Sequence, residues 1–245
     1  MIQQVNGAKL YVERHGAGEP LICLHSFSSN GRLRFGLLLP ELERDFTCYV
    51  VDLRGHGRST NEDGNWSHER IAHDIIELCE GLGLTSAFFL AASSGAMAML
   101  RVAQYKPELV RAMVLDSATY QVPEASRQHY KHPDTLSPKL KAMYAEANEV
   151  YGPEYGSVLA KVLYDFRLAE CDINIPLEGL SAINAPTLLI AGENDQFFPP
   201  YVHQAMAQSI PGSELVIFSD TGHIVMEFYP KRVAELAVEF FRRYQ

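Results

Sequence analysis

Cysteine is scarce: Cys23, Cys48, Cys79 and Cys171 are the chain's four, set far apart with no C-x-x-C pair. That spacing excludes a disulfide scaffold and a cysteine zinc site, and scattered thiols fit a reducing compartment. Positive charge is also short, with 21 Lys plus Arg against 30 Asp plus Glu and a net charge of −9. Nucleic acid and anionic membrane surfaces, which bind through phosphate neutralisation, are therefore poor partners. No apolar run approaches the ~18 residues of a membrane span. The opening Met1-Ile2-Gln3-Gln4-Val5 has neither the basic nor the apolar part of a signal peptide. The expectation is a cytoplasmic protein with no membrane and no nucleic-acid partner; nothing in the pattern sets an oligomeric state.

Apolar residues, by contrast, are plentiful. Of 245 residues 47% are hydrophobic and 21% charged, enough for one large core and too apolar for a disordered chain. Short apolar runs at 21–25, 47–52, 87–90, 110–116, 187–191 and 214–218 read as strands. Their hydrophobicity is continuous rather than alternating, which predicts strands buried on both faces of a parallel sheet. Residues 9–13 alternate and read as an exposed antiparallel edge strand. Between these runs, Ile71, Ile75, Ile76, Cys79 and Leu82 recur at helical spacing over 68–83, behind a Ser67 N-cap. Residues 94–105 read as a helix closed by Pro107, and 233–244 as an amphipathic final helix. Strands alternating with such helices predict an α/β fold with a mostly parallel central sheet flanked by helices.

One stretch, 117–185, breaks the alternation. It has helical patterns and many aromatics (Tyr120, Tyr130, Tyr144, Tyr151, Tyr155, Tyr164 and Phe166) but no convincing strand. It is too long for an ordinary connection. The reading is a helical cap inserted between core segments 1–116 and 186–245, lying over the carboxyl edge where open α/β sheets place their ligands.

The chemistry concentrates in three strand-to-loop junctions. In Phe88-Phe89-Leu90-Ala91-Ala92-Ser93-Ser94-Gly95-Ala96-Met97 an apolar strand runs through small residues straight into a helix. A sharp strand–turn–helix of the G-x-S-x-G kind needs small residues two before and two after its serine, and Ala91 and Gly95 supply them for Ser93. Shifting the frame by one makes Ser94 the centre, with Ala92 and Ala96 as flanks; glycine at the second following position favours Ser93. The helix N-terminus directs N–H groups at the site, which suits a developing negative charge. Asp195 follows the next-to-last strand in Ala191-Gly192-Glu193-Asn194-Asp195, and His223 follows the last in Ser219-Asp220-Thr221-Gly222-His223. A serine hydroxyl needs a base to take its proton, and an imidazole needs a carboxylate on its other nitrogen. Any one of these residues alone reads as a cap or turn residue; three at carboxyl ends of strands, in the order Ser, Asp, His, do not.

These segments resemble the α/β-hydrolase superfamily over nearly the whole chain apart from the cap. Leu24-His25-Ser26-Phe27 is similar to the family's H-G-x oxyanion loop, with Ser26 where glycine is usual. Asp52-Leu53-Arg54-Gly55-His56-Gly57-Arg58-Ser59 matches its D-x-R-G-H-G-x-S segment. The resemblance implies Ser93 as nucleophile, His223 as base, Asp195 as acid and the backbone N–H groups of Phe27 and Ser94 as oxyanion hole. Asp116 is a fallback acid, because some relatives carry it there. Ser26, Phe27 and Tyr120 are expected to line the substrate pocket.

No cofactor or metal is expected. Gly55-His56-Gly57 has neither a third glycine nor a helix start, and His73 stands off the helical face that H-E-x-x-H would need after His68-Glu69. His56 reads as structural, His129 and His132 as surface residues, and Arg32 and Arg34 as solvated, with an anionic substrate group as the alternative for the two arginines. The implied activity is a cofactor-free serine hydrolase acting on a small ester, lactone or thioester. The alternatives are a carbon–carbon bond hydrolase, a slow-turnover small-molecule receptor and a degenerate scaffold. A serine at the elbow argues against the dehalogenase and epoxide hydrolase branches, whose nucleophile is a carboxylate.

Overall fold

A computed structural model describes residues 1–27, 29–62, 64–130, 132–136, 138, 141–142, 145, 160–161, 164 and 173–245. Strands β1 (Ile2–Val5), β2 (Ala8–His15), β3 (Glu19–Leu24), β4 (Phe46–Val51), β5 (Ala87–Ala92), β6 (Val110–Asp116), β7 (Thr187–Gly192) and β8 (Glu214–Phe218) form one eight-stranded sheet. Its order is β1-β2-β4-β3-β5-β6-β7-β8. From β4 across to β8 every neighbouring pair is parallel, and β1 and β2 add an antiparallel end.

Successive side chains of a strand face opposite ways, and here both ways lead into a core. Ile22 and Leu24 of β3 join Phe89, Met113 and Leu189 on one face, while Leu21 and Cys23 join Phe88, Val114 and Ile190 on the other. The first face is covered by α3 (His68–Gly81), α4 (Ser94–Tyr105) and α6 (Pro200–Ser209), through Ile71, Ile75, Met97, Leu100, Val202 and Met206. The second is covered by α1 (Gly31–Phe35), α2 (Leu39–Leu42) and α7 (Pro230–Arg242), through Phe35, Leu42, Val233 and Phe241. This two-sided cover is why the strands carry unbroken apolar runs. Cys23, Cys48 and Cys79 are free and buried; Cys171 lies outside the described residues.

One expectation needs correction at the antiparallel end. Residues 9–13 are not an edge: β1 lies outside β2, and Leu10 and Val12 are fully buried. β1 itself is too polar to announce a strand, and its signal is the Asn6-Gly7 pair, which makes the hairpin turn with φ of 23° and 75°. Helix α3 keeps its Ser67 cap, whose side chain accepts from the Arg70 N–H at 3.0 Å, and Gly83 stops it at φ 72°.

Between β6 and β7, which are neighbours in the sheet, the described residues include short 3₁₀ segments at Glu124–His129 and Pro133–Thr135, a bridge between Gln121 and Asn174, and α5 (Leu177–Leu180). Tyr144, Tyr151, Tyr155 and Phe166 of the expected cap lie outside the described residues. Among the described residues no helix is long and apolar enough to cross a membrane.

The D-x-R-G-H-G segment is locked from below. The fully buried Arg54 guanidinium grips Asp74 of α3 in two parallel bonds, Nε to Oδ2 at 2.7 Å and Nη2 to Oδ1 at 2.8 Å. It also donates to the Asn61 side chain at 2.9 Å and to the Asn6 carbonyl at 3.0 Å, tying the hairpin, the loop and α3 together. Removing one partner of such a pair strands a buried charge, so Asp74→Ala is expected to cost about 3–5 kcal/mol. Urea unfolding checks this, and a loss below about 1 kcal/mol would contradict it.

Candidate active site

Ser93 stands between β5 and α4 with φ 47° and ψ −113°, a conformation that costs an L-residue about 1–3 kcal/mol. Its neighbours hold it there. The Ser93 N–H donates to the Asp116 carbonyl at 2.8 Å, and the Ser93 carbonyl accepts from Met97 at 2.8 Å. A Cβ on Gly95 would lie 2.7 Å from both the Leu24 and the His25 carbonyl oxygens, so the turn can press against the end of β3 only with glycine at that position. The two candidate serines point to different partners. The Ser93 hydroxyl lies 3.0 Å from His223 Nε2, whereas the Ser94 hydroxyl lies 3.2 Å from Nε2 of the buried His68.

His223 is carried by the loop after β8, and its Nδ1 lies 2.7 Å from Asp195 Oδ2. With Nδ1–H donating to the carboxylate, Nε2 is left as an acceptor facing the serine. Asp195 Oδ1 accepts from the Phe197 and Phe198 N–H groups at 2.8 and 2.9 Å. Burial pushes the Asp195 carboxyl up, but His223 and these two N–H donors outweigh it and hold it below its ordinary value. The rings of Phe197 and Phe198 pack against the imidazole, with centroids 5.2 and 5.1 Å away, and Tyr130 backs Phe197 at 5.3 Å.

Asp116, the fallback acid, faces elsewhere. Its carboxyl accepts from the N–H groups of Val225 and Met226 and from the Ser117 hydroxyl, and the structure brings Asp195 rather than Asp116 to the imidazole. Burial raises the Asp116 carboxyl to about 6, against the pull of those donors and of His223.

The loop after β3 is fixed by His25, which accepts from the Leu53 N–H on Nε2 at 2.9 Å and donates from Nδ1 to the Ser26 carbonyl at 2.7 Å. With that carbonyl engaged, the trans peptide turns the Phe27 N–H the opposite way. Asp52 supports the same loop by accepting from the Gly31 and Arg58 N–H groups at 2.8 and 2.9 Å. The half-buried Phe27 ring meets Trp66 and His56 edge-on at 4.9 and 5.0 Å. Arg34 corrects an expectation. It is not solvated, with its side chain 7% exposed, and it donates to Ser26 Oγ at 2.9 Å while pairing with Glu227 at 2.5 Å. Arg32 is 62% exposed. Tyr120 is half-buried just past β6, and its carbonyl accepts from Ile175 at 2.8 Å.

The other histidines have structural surroundings. His56 Nδ1 lies 3.0 Å from the Arg54 carbonyl, and burial lowers its pKa to about 4. His73 stacks on Tyr105, His132 is exposed, and His129 sits edge-on to Phe197 at 5.9 Å. Among the described residues no cluster of three or more His, Cys, Asp or Glu could hold a metal ion. The sequence reading gave Arg34 and His68 other roles, and it did not single out Trp66, His203 or the Phe197-Phe198 pair. Only the pair carried a signal, two adjacent aromatics separated from the candidate acid by one residue.

Residues 15–236 match the family model described as alpha/beta hydrolase family. The chain is 28% identical over 232 residues to the Mus musculus protein named Serine hydrolase BPHL, covering 89% of this chain and 78% of that protein. Among solved structures, the meta-cleavage product hydrolase CumD from Pseudomonas fluorescens IP01 superposes with a TM-score of 0.83 at 18% identity, over 100% of this chain and 98% of that one. The enol-lactonase from Burkholderia xenovorans LB400 does so with a TM-score of 0.81 at 18% identity, over 99% of this chain and 100% of that one.

His203, buried on α6, gives the site an acid limit. Burial lowers its pKa from 6.5 to about 4, with Asp195 pulling it up and His223 pushing it down. The unfolded chain therefore takes up this proton first as pH falls. The associated stability is whole above pH 6.5 and is lost towards pH 4, by about 3 kcal/mol for this one residue. His203→Gln, which cannot titrate, is expected to flatten the unfolding free energy over that window. An unchanged acid slope would contradict it.

Proposed function

The chain belongs to the alpha/beta hydrolase family, and from that premise we propose that it cleaves a small carboxylic ester, lactone or thioester through an acyl-enzyme on Ser93. The observation that carries this reading is the unbroken line from Ser93 Oγ to His223 Nε2 at 3.0 Å and from His223 Nδ1 to Asp195 Oδ2 at 2.7 Å. As Ser93 Oγ attacks the substrate carbonyl, its proton passes to His223 Nε2 and the carbonyl π electrons move onto oxygen. Asp195 fixes the imidazole tautomer and stabilises the cation without taking the proton. The Phe27 and Ser94 N–H groups receive the oxyanion, each worth about 3 kcal/mol to the transition state. The intermediate collapses, the bond to the leaving oxygen or sulfur breaks, and that atom takes the proton from His223. Water, deprotonated by the same imidazole, then releases the acid and restores Ser93.

Segment 117–185 acts as the cap over core segments 1–116 and 186–245, and Ser26, Phe27 and Tyr120 line the pocket beneath it. Carbon–carbon bond hydrolysis is the second reading, favoured by the likeness to the meta-cleavage product hydrolase and served by the same residues.

A panel of short-chain p-nitrophenyl esters, lactones and acyl thioesters tests the proposal. Turnover is expected in at least one class, with Ser93→Ala abolishing it together with fluorophosphonate labelling. Asp195→Asn is expected to lower kcat by about 10⁴-fold through loss of the productive tautomer. Tight ligand binding with negligible turnover, or turnover that survives Ser93→Ala, would overturn the reading.

A further inference from the structure

Asp116 has no part in the proposed chemistry, yet it reaches both halves of the site. Its main-chain carbonyl accepts the Ser93 N–H at 2.8 Å, at the elbow. Its side chain faces the turn that follows His223. Oδ1 accepts from the Val225 N–H at 3.1 Å and from the Ser117 hydroxyl at 3.0 Å, and Oδ2 accepts from the Met226 N–H at 2.8 Å. The Ser117 oxygen in turn accepts from the Ile224 N–H at 2.9 Å. Three consecutive N–H groups, of the three residues after His223, thus end on the Asp116–Ser117 pair. They open the single helical turn Val225–Glu227, where donors have no partner within the turn itself.

That turn does not hold its own shape. Ile224 lies at φ 67°, a region a β-branched side chain rarely enters, and Ser117 opposite it lies at φ 55°. Two residues in sparsely populated conformations face each other across one hydrogen bond, and such conformations persist only where the surroundings over-determine them. Here the surroundings are the fully buried carboxyl group of Asp116 and the end of β6.

We infer that Asp116, with Ser117, is the positioning residue that sets the His223 turn against the Ser93 elbow and so fixes the imidazole at bonding distance from the hydroxyl. This rests on the proposed roles of Ser93 and His223. It also accounts for an acidic residue at the fallback position when Asp195 already occupies Nδ1 of the imidazole. A displacement on the order of 1 Å between two reacting groups costs about a hundredfold in rate.

Asp116→Asn keeps the size of the side chain but turns one acceptor into an NH₂ group facing an N–H donor. On an ester that the protein hydrolyses, kcat is expected to fall about 10- to 100-fold while KM stays within about twofold. The rate of fluorophosphonate labelling at Ser93 should fall in step, all measured well below the melting temperature and normalised to folded protein. Ser117→Ala, a milder lesion that removes one of the three anchors, is expected to lower kcat by about 3- to 10-fold and covers the case in which Asp116→Asn does not fold. An unchanged kcat in folded Asp116→Asn, or in Ser117→Ala if the former does not fold, overturns the inference. So does an equal rise in KM with kcat intact. Ser93→Ala in the same assay separates the two claims: activity surviving it removes the reading of Ser93, whereas activity lost there and retained in Asp116→Asn removes only the role given to Asp116.

Discussion

The strained backbone at Ser93 depends on contacts from two neighbouring strands, and most of the molecule is arranged to supply them. β5 lies between β3 and β6 in the sheet. From one side, the Leu24 and His25 carbonyls press so close to Gly95 that no side chain fits; from the other, the Asp116 carbonyl takes the Ser93 N–H. Both contacts depend on the register of β5 against β3 and β6, which pairs Leu24 with Ala91 and Ala92 with Asp116. Continuing outward, β7 carries Asp195 and β8 carries the His223 loop to the same edge. Parallel order, rather than any local motif, brings together three residues that are far apart in the chain.

Around this edge the imidazoles divide by their partners. His25, His56 and His203 are all buried, and burial depresses the pKa of each, so they serve as neutral hydrogen-bonding or packing groups. His223 has a carboxylate on one nitrogen and a hydroxyl on the other. The carboxylate is kept ionised by the same imidazole and by two backbone donors, although burial works against it. Phe197 and Phe198 supply those donors and also pack against the ring, so a single loop sets both the charge and the surroundings of His223.

What could be read from the sequence follows the same physics. The apolar strands were legible because both their faces are covered, and the elbow because Gly95 is a steric necessity that leaves a mark in the sequence. β1 was not legible, since Ile2-Gln3-Gln4-Val5 gains its place from pairing with β2 rather than from its own composition. Arg34 was misread for a related reason. A lone arginine defaults to solvent, and nothing near it in the chain discloses that its acceptors are Ser26 and the distant Glu227. Asp116 could be placed at a strand end but not given a partner, because the turn it holds is built from main-chain N–H groups that every sequence possesses.

The guanidinium of Arg34 touches one side chain before the elbow in the chain and one after the base. Glycine at 26 would leave one arm of this cation without its acceptor, and a neutral residue at 227 would leave it without its counter-charge. Positions 26, 34 and 227 therefore act as one unit: the hydroxyl at 26 and the carboxylate at 227 are both spent on a single buried cation, so a change at any of the three is felt by the other two.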